Sequence, residues 1–252
     1  MQKKDWNEKV KNNFNNAAER YLDYSDIQRF FAEKIVTFLK GLNLQEGDWV
    51  DLGSGTGLLA DEIETEFPHK KVSRIDFCQK MLLQNKVHRK KYLWDLNSGL
   101  PPEIKDCALI TSNFCLHWLD NPEKIIQEWF CKLRIGGYLI ISYPSTDCFP
   151  EWKETCKKVN IEYSGLNFPD SEKIIRNFQS DEIYLSNKYS YLENFPNIYK
   201  LLKSIVNVGA QTSKSKRKTV HELKKMQKFW PKSDNQSVNQ TWSINIQILK
   251  RL

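Results

Sequence analysis

The sequence predicts an α/β protein with a mostly parallel sheet covered by helices, and two observations carry that prediction. Apolar segments of strand length alternate with amphipathic segments of helix length from residue 48 to residue 143. Such alternation implies parallel strands joined by right-handed crossovers. The first strand also runs directly into the turn Gly53-Ser54-Gly55-Thr56-Gly57, which a helix follows. This layout binds nucleotide-like ligands.

The elements follow from periodicity and boundary residues. Apolar residues at helical spacing predict two helices between about residues 7 and 40. Asn121-Pro122 begins a later helix, and Gly136-Gly137 separates that helix from the next strand. The alternating core is predicted as strand 48–52, helix 57–66, strand 71–76, helix 78–85, strand 90–94, strand 107–111, helix 122–133 and strand 137–143. Beyond it we predict a helix near 171–179, a strand near 182–192, a helical and basic stretch over 195–230, and a last strand over 241–249.

Composition and charge narrow the classes of function. No apolar stretch is long enough to span a membrane, and the opening residues lack the apolar run of a secretory signal. The 6 cysteines include no Cys-x-x-Cys pair and the 4 histidines are far apart, which argues against a metal centre and favours a cytoplasmic protein. The net charge of +7 suits an acidic partner, although a general excess of Lys and Asn explains it as well.

The glycine turn favours one class of nucleotide-like ligand. Asp76 ends the next predicted strand, where a carboxylate accepts hydrogen bonds from ribose hydroxyls. A dinucleotide fingerprint needs Gly or Ala where this chain has Leu58, and Asp51 would repel a pyrophosphate. A ligand with a sulfonium and an ammonium group suits that carboxylate, and a turn without any ligand is the remaining alternative. The segment from Asp51 to Gly57 resembles the first motif of the class I S-adenosylmethionine-dependent methyltransferases.

Candidate cofactor contacts lie at the carboxyl ends of the strands, where open α/β sheets bind ligands. Asp51, Gly53 and Gly55 would face the methionine portion of S-adenosylmethionine, and Asp76 its ribose. Asp95 would accept a hydrogen bond from the adenine amino group, with a turn cap as the alternative. The predicted cofactor-binding residues are Asp51, Gly53, Ser54, Gly55, Asp76, Phe77, Met81, Asp95, Leu96 and Asn113.

Further segments resemble a narrower family, the malonyl-acyl-carrier-protein O-methyltransferases that begin biotin synthesis. The matching pieces lie in the family's order and cover most of the chain. They are Phe14-Asn15-Asn16-Ala17-Ala18-Glu19-Arg20-Tyr21, Ile27-Gln28-Arg29, Asp76 with Met81-Leu82, Ser112-Asn113 with Leu116-His117-Trp118, Leu133-Arg134 with Gly136-Gly137, and Ser204-Ile205 with Val208-Gly209-Ala210. The chain departs from the family at Ser54, where Cys is usual, at Ile135, where Pro is usual, and loosely over 145–152.

This resemblance implies a class I methyltransferase domain of the Rossmann-like type. Its sheet would have seven strands, mostly parallel with the last antiparallel, together with N-terminal helices and a helical lid. The single domain would comprise capping helices (1–45), the sheet core (46–192), a helical lid insert (193–238) and the final strand (239–252). The implied activity is methyl esterification of the free carboxylate of a malonyl thioester.

Three residues are candidates for binding or activating the substrate. By resemblance, Tyr21 and Gln28 lie on helices that close over the cofactor, where they would contact its methionine end or the acyl carboxylate. His117 is a candidate general base, with a hydrogen-bonded structural role as the alternative. A carboxylate is already ionised at neutral pH, because its pKa is about 4, so the implied reaction needs no base.

The predicted partner is an acidic acyl carrier protein. The cluster Lys214, Lys216, Arg217 and Lys218 would attract it, and a solvated lysine-rich face is the alternative. Two other functions stay open at this point: methylation of another small acid or quinone precursor, and cofactor or partner binding without catalysis. A nucleic-acid methyltransferase would suit the charge, but the sequence has no evident recognition module.

Overall fold

The fold is built on one sheet, and the computed structural model describes it over residues 3–86, 88–213, 215–233 and 236–252. Within those residues seven strands are present: β1 (Trp49–Leu52), β2 (Val72–Asp76), β3 (Lys91–Leu93), β4 (Cys107–Asn113), β5 (Leu133–Pro144), β6 (Ile183–Phe195) and β7 (Val238–Lys250). Their spatial order is β3-β2-β1-β4-β5-β7-β6. Strand β7 is antiparallel to β5 and β6, whereas the other neighbours are parallel. The predicted sheet with an antiparallel last strand is therefore confirmed.

Helices cover both faces of this sheet. Over the described residues they are α1 (Lys3–Ala17), α2 (Asp26–Lys40), α3 (Leu58–Glu66), α4 (Gln79–Leu83), α5 (Pro122–Phe130), α6 (Pro150–Val159), α7 (Ser171–Ile175), α8 (Ile198–Asn207) and α9 (Val220–Phe229). Helices α2 and α3 pack on one face, and α5 and α7 on the other. Strand β1 is buried along its whole length because it is covered on both sides.

Three differences from the predicted elements have local causes. Strand β5 begins at Leu133, so Gly136 and Gly137 lie inside it, where the register against β4 shifts. A side chain at Gly137 would approach the Cys107 carbonyl oxygen to 2.8 Å, which is why glycine is needed there. The predicted helical stretch 195–230 is two helices, α8 and α9, and helix α6 was not predicted.

A separate hydrophobic core holds α6, α8 and α9 together beyond the edge of the sheet. It contains Trp152 of α6, Leu201 of α8 and Met226 of α9, all buried. The predicted lid, residues 193–238, therefore shares its core with a helix that precedes β6. The division of the chain into capping helices, core, lid and last strand stays a prediction.

At Gly209, directly after α8, the chain comes into close contact with α1. Its backbone has φ +81°, and a Cβ there would lie 2.9 Å from both the Asn13 carbonyl oxygen and the Phe14 Cα. The Asn13 amide also donates a 2.8 Å hydrogen bond to the Thr212 hydroxyl. Glycine at 209 is thus required twice, for its conformation and for the close approach of two backbones.

We predict that Gly209→Ala lowers the free energy of unfolding by more than left-handed strain alone, which costs about 1–2 kcal/mol. The contact with α1 should add at least about 1 kcal/mol, because backbone cannot move aside cheaply. Gly99→Ala is the matched control, since Gly99 has φ +85° and nothing within 4 Å of its Cβ position. Chemical denaturation measures both losses, and equal losses would contradict the close contact.

Candidate active site

The glycine turn between β1 and α3 leaves room for a ligand above the sheet. Gly53, Gly55 and Gly57 have φ values of +67°, +53° and +89°, which residues with a Cβ rarely adopt. A Cβ at Gly53 would lie 2.3 Å from the Cys115 sulfur, whereas one at Gly55 would meet nothing within 4 Å. The turn therefore packs tightly at its start and is open at Gly55.

Asp76, at the end of β2, is tied to that turn. One carboxylate oxygen accepts a 2.9 Å hydrogen bond from the Gly55 amide, and the other accepts a 2.7 Å bond from the Cys78 amide. Burial raises the pKa of Asp76, although both amide hydrogen bonds oppose the shift. The carboxylate is therefore fixed in position and poorly compensated, so a ligand that donates hydrogen bonds or carries positive charge is favoured there.

A buried arginine supports the turn from behind. Arg74, in β2, is fully buried and donates to Asp61 at 2.6 Å, to Glu64 at 2.9 Å and to the Asn85 side-chain oxygen at 2.9 Å. The Asn85 amide in turn donates to the Gly55 carbonyl oxygen at 2.8 Å. The sequence analysis missed this network. Its signal was a charged residue inside an apolar strand, with two acidic residues three apart on the preceding helix, α3.

A cleft opens over the turn. Most of the predicted cofactor-binding residues line it, namely Gly53, Gly55, Asp76, Phe77, Met81, Asp95, Leu96 and Asn113. Residues that were not predicted also line it, among them Asn7 and Val10 of α1 and Trp94 after β3. These come from segments distant in sequence, and α1 carries no motif that marks it as a wall of the cleft.

The other two predicted residues, Asp51 and Ser54, are buried beneath the cleft and do not line it. The Thr111 hydroxyl donates a 3.0 Å hydrogen bond to the Asp51 carboxylate, and Asp51 is only 1% exposed. Burial raises the pKa of Asp51 to about 7, with Asp76 adding to the shift and Arg74 opposing it. Asp51 thus acts on a ligand through its charge rather than by contact, and the assigned roles of both residues stay predictions.

Asp95 is the turn cap that the sequence offered as one alternative, while its contact with adenine stays a prediction. Its carboxylate accepts a 3.0 Å hydrogen bond from the Asn97 amide and caps the short 3₁₀ turn Leu96–Ser98. It also lines the cleft. Capping uses one oxygen, so the other is available to a ligand.

A larger chamber of about 390 Å³ adjoins the cleft. Both cavities are lined by the same four aromatic residues, Phe14, Tyr21, Phe114 and Trp118. The chamber is also where the three predicted substrate residues meet, since Tyr21, Gln28 and His117 all line it. Its remaining wall combines the aromatic residues Phe149, Trp152, Phe168 and Trp242 with aliphatic and polar side chains.

The polar groups of the chamber wall near the cleft are neutral. Burial, and secondarily Asp76, raises the pKa of Tyr21, so its hydroxyl keeps its proton. Burial lowers the pKa of His117 to about 3, so the imidazole is uncharged at neutral pH. Among the described residues, neither His117 Nδ1 nor the Gln28 side-chain oxygen has a hydrogen-bond partner, and Gln28 is 8% exposed. Such unsatisfied buried atoms indicate that a ligand supplies the missing partners.

The far side of the chamber carries positive charge. Lys216, Arg217 and Lys218 line it, and the first two are exposed, so this side opens to solvent. We call these three residues the basic mouth. Lys214, the fourth residue of the predicted cluster, lies outside the described residues. One carboxylate, Glu193, also lines the chamber; it accepts a hydrogen bond from the Trp242 indole, and burial raises its pKa.

Two kinds of site receive no support from the part of the chain that the structure describes. Within it, no group of three or more His, Cys, Asp or Glu side chains is arranged to hold a metal ion. Its helices are also too short or too polar to cross a membrane.

Comparisons with known proteins agree with this geometry. The methyltransferase domain family matches residues 19–187, more than half of the chain. Malonyl-[acyl-carrier protein] O-methyltransferase 2 of Ilyobacter polytropus is 26% identical over 220 residues, which are 83% of each chain. The malonyl-[acyl-carrier protein] O-methyltransferase of Bacillus cereus is 24% identical over 216 residues, 79% of each chain.

Solved structures share the fold at low identity. The YcgJ protein of Bacillus subtilis superposes with a TM-score of 0.60 at 13% identity, over 88% of this chain and 99% of that one. The plantazolicin methyltransferase BpumL, solved in complex with SAH, gives a TM-score of 0.52 at 12% identity, over 97% of this chain and 96% of that one.

The residues of the cleft suit S-adenosylmethionine, because the open glycine turn admits it and the poorly compensated Asp76 and Asp51 favour its positive charges.

We predict that Asp76→Asn weakens the binding of S-adenosylmethionine by about 10- to 150-fold, the equivalent of losing about 1.5–3 kcal/mol of charge-assisted hydrogen bonding. Isothermal titration calorimetry measures the affinity, and thermal unfolding checks that the turn is intact. The exposed Asp181 provides the control variant Asp181→Asn, which should bind normally. Unchanged affinity in folded Asp76→Asn protein would contradict the ribose assignment.

Proposed function

The chain belongs to the methyltransferase domain family and is an S-adenosylmethionine-dependent methyltransferase; we propose that it esterifies the free carboxylate of a malonyl thioester on an acyl carrier protein. In the family that the sequence resembles, this reaction begins biotin synthesis. The observation that carries the proposal is the chamber, which has neutral polar groups beside the cofactor cleft and cations at its opening. The names of the relatives from Ilyobacter polytropus and Bacillus cereus support it.

The inner end of the chamber suits a carboxylate. Tyr21 presents a hydroxyl donor, and Gln28 and His117 present an amide and an uncharged imidazole without protein partners among the described residues. If the Gln28 side-chain amide is rotated by half a turn, its NH₂ group takes the position of the unsatisfied oxygen and can donate a hydrogen bond to the carboxylate. Hydrogen bonds to a charged group are worth about 1.5–3 kcal/mol each, so these residues would offset much of the cost of burying an anion among aromatic rings.

The same groups fit a reaction that needs alignment more than proton transfer. An ionised carboxylate oxygen forms the new bond to the methyl carbon while the carbon–sulfur bond breaks, and no proton has to leave. His117 is uncharged at neutral pH because burial lowers its pKa to about 3, so it is a poor general base. We therefore assign His117 a hydrogen-bonding role toward the substrate. Fixing the carboxylate against the methyl group then supplies the rate enhancement.

The basic mouth would receive the acidic carrier protein. Lys216 and Arg217 are exposed at the opening through which an acyl arm must pass. Carrier and enzyme would then attract each other before contact, which raises the association rate and makes it sensitive to salt. A small free acid would not require such an opening.

One observation favours a second candidate function, methylation of an amine. Glu193 is a carboxylate in an aromatic chamber, and aromatic faces together with a negative charge attract organic cations. The basic mouth opposes this alternative because it repels cations. A panel that sets malonyl-carrier protein against malonyl-pantetheine, free dicarboxylic acids and small amines distinguishes the candidates, and methylation of amines alone would refute the ester proposal.

We predict that Tyr21→Phe and Gln28→Ala each reduce kcat/KM for malonyl-carrier protein at least about tenfold, because each removes a hydrogen bond to the ionised carboxylate. Steady-state kinetics measures this loss, and the affinity for S-adenosylmethionine is measured separately because Tyr21 also lines the cofactor cleft. Tyr199→Phe and Gln127→Ala change exposed residues outside both cavities and serve as controls. Full turnover in both site variants would refute the carboxylate subsite.

We also predict that reversing the basic mouth, with Lys216→Glu, Arg217→Glu and Lys218→Glu together, lowers kcat/KM for malonyl-carrier protein at least about tenfold. Activity on malonyl-pantetheine, which has neither a protein nor a phosphate, should stay within about twofold, since the charges act on the carrier. The loss should shrink as salt increases, because the Debye length is about 8 Å at physiological ionic strength.

The control for this prediction makes the same change of net charge elsewhere. Lys71→Glu, Lys105→Glu and Lys173→Glu alter three exposed lysines that line neither cavity. An equal loss in this control, or an equal loss on malonyl-pantetheine, would contradict docking at the basic mouth.

A further inference from the structure

The chamber has two distinct ends. Its inner end is the wall that it shares with the cofactor cleft, at Phe14, Tyr21, Phe114 and Trp118. Its opening to solvent includes the basic mouth, since Lys216 and Arg217 both line the chamber and are exposed, as are Tyr24, Val206 and Gln211. A ligand that reaches from the methyl donor to solvent past the basic mouth therefore meets aromatic residues first and cations last.

The backbone that presents these cations is held in place. The Ser213 hydroxyl donates a 2.8 Å hydrogen bond to the Ser164 carbonyl oxygen, and the Ser215 hydroxyl donates a 3.3 Å bond to the Tyr163 carbonyl oxygen. The Ser215 amide also donates to the Ser213 hydroxyl at 3.1 Å. Ser213 and Ser215 are thereby attached to the segment that follows α6. The basic mouth is consequently part of the chamber wall and not a free loop.

The charges of the basic mouth form no ion pairs among the described residues. None joins Lys216, Arg217 or Lys218 to a carboxylate there, although the charge of Lys218 helps to lower the pKa of Glu222. Glu222 itself accepts hydrogen bonds from the Thr219 amide at 2.7 Å and hydroxyl at 2.9 Å, within a capping box at the start of α9. Two exposed cations without counter-ions, Lys216 and Arg217, with Lys218 beside them, form a place for an anion.

The chamber is much larger than a malonyl group requires. Its volume of about 390 Å³ lies within the range of about 300–1000 Å³ that holds drug-sized ligands, and a malonyl group is only a fragment of a ligand of that size. The aromatic rings between the two ends suit a neutral, flexible body and not a second charge. The ligand that fits has a carboxylate at one end, a long uncharged middle and an anion at the other end.

We infer that Lys216, Arg217 and Lys218 bind the phosphate group at the end of a pantetheine arm while the malonyl group reaches the methyl donor. This inference rests on the proposed function, since it concerns the same substrate. An arginine fork binds phosphate oxygens in pairs, and the lysines add point charges, so the three side chains suit a phosphate ester. The pantetheine chain lies along the aromatic walls. The phosphate contact fixes how far the arm enters, and hence where the carboxylate stops.

The test compares two small substrates that differ only in the phosphate, malonyl-pantetheine and malonyl-4′-phosphopantetheine. For the unmodified protein we expect kcat/KM to be at least about tenfold higher with the phosphate, mostly through a lower KM. In Lys216→Ala/Arg217→Ala protein the ratio of the two kcat/KM values should fall to about one. Lys224→Ala, an exposed lysine of α9 that does not line the chamber, is the matched control and should keep the preference.

Equal kcat/KM for the two substrates in the unmodified protein would overturn the phosphate site and leave the proposed ester chemistry standing. Failure to methylate any malonyl thioester would refute the proposed function itself. Phosphopantetheine and pantetheine as inhibitors give a second measurement independent of the double variant. A lower inhibition constant for phosphopantetheine supports the site, and equal constants overturn it. Malonyl-CoA beside malonyl-carrier protein shows which source of the phosphate is preferred.

Discussion

The buried charge network around Arg74 is the constraint on which the ligand site depends. A guanidinium that is 0% exposed survives only with its partners, because losing one partner of a buried pair typically costs about 3–5 kcal/mol. Asp61 and Glu64 of α3 are two of those partners, and Asn85 is the third and extends the network to the Gly55 carbonyl oxygen. The network therefore fixes α3 relative to β2, and with α3 the glycine turn that precedes it. It also requires glycine at 57, where a Cβ would lie 2.2 Å from the Asn85 side-chain oxygen.

Helix α1 makes the two cavities depend on each other. Its residues line the cofactor cleft, while its backbone at Asn13 contacts Gly209, beside the opening of the chamber. The aromatic side chains of Phe14 and Trp118, which contact each other edge to face at 5.2 Å, belong to both cavities. A displacement of α1 therefore opens both cavities at once. Where the two cavities adjoin, the same elements would therefore shield a bound cofactor and substrate from water.

Features that depend on local sequence rules could be predicted, whereas features that depend on tertiary contacts could not. The turn after β1 and the carboxylate of Asp76 followed from strand periodicity, positive-φ glycines and the geometry of open sheets. The glycine pair 136–137 was wrongly taken as the boundary between α5 and β5, because sequence does not distinguish a loop from a bulge inside a strand. Helix α6 was missed although Trp152, Cys156 and Val159 have helical spacing and all three are buried. The contribution of α1 to the cleft depends on long-range packing that no local pattern encodes.

Under the proposed function, the distribution of charge along the two cavities accounts for two ligands of opposite charge. Beneath the cofactor cleft, burial raises the pKa of both Asp51 and Asp76, so negative charge there is costly until a cation arrives. Beyond the aromatic residues that the cavities share, the neutral Tyr21 and His117 neither repel an anion nor pair with it permanently. A sulfonium would thus be favoured in the cleft and a carboxylate in the chamber. The attraction between these two reactants would help to bring the attacking oxygen to the methyl carbon where the cavities meet, without a catalytic base.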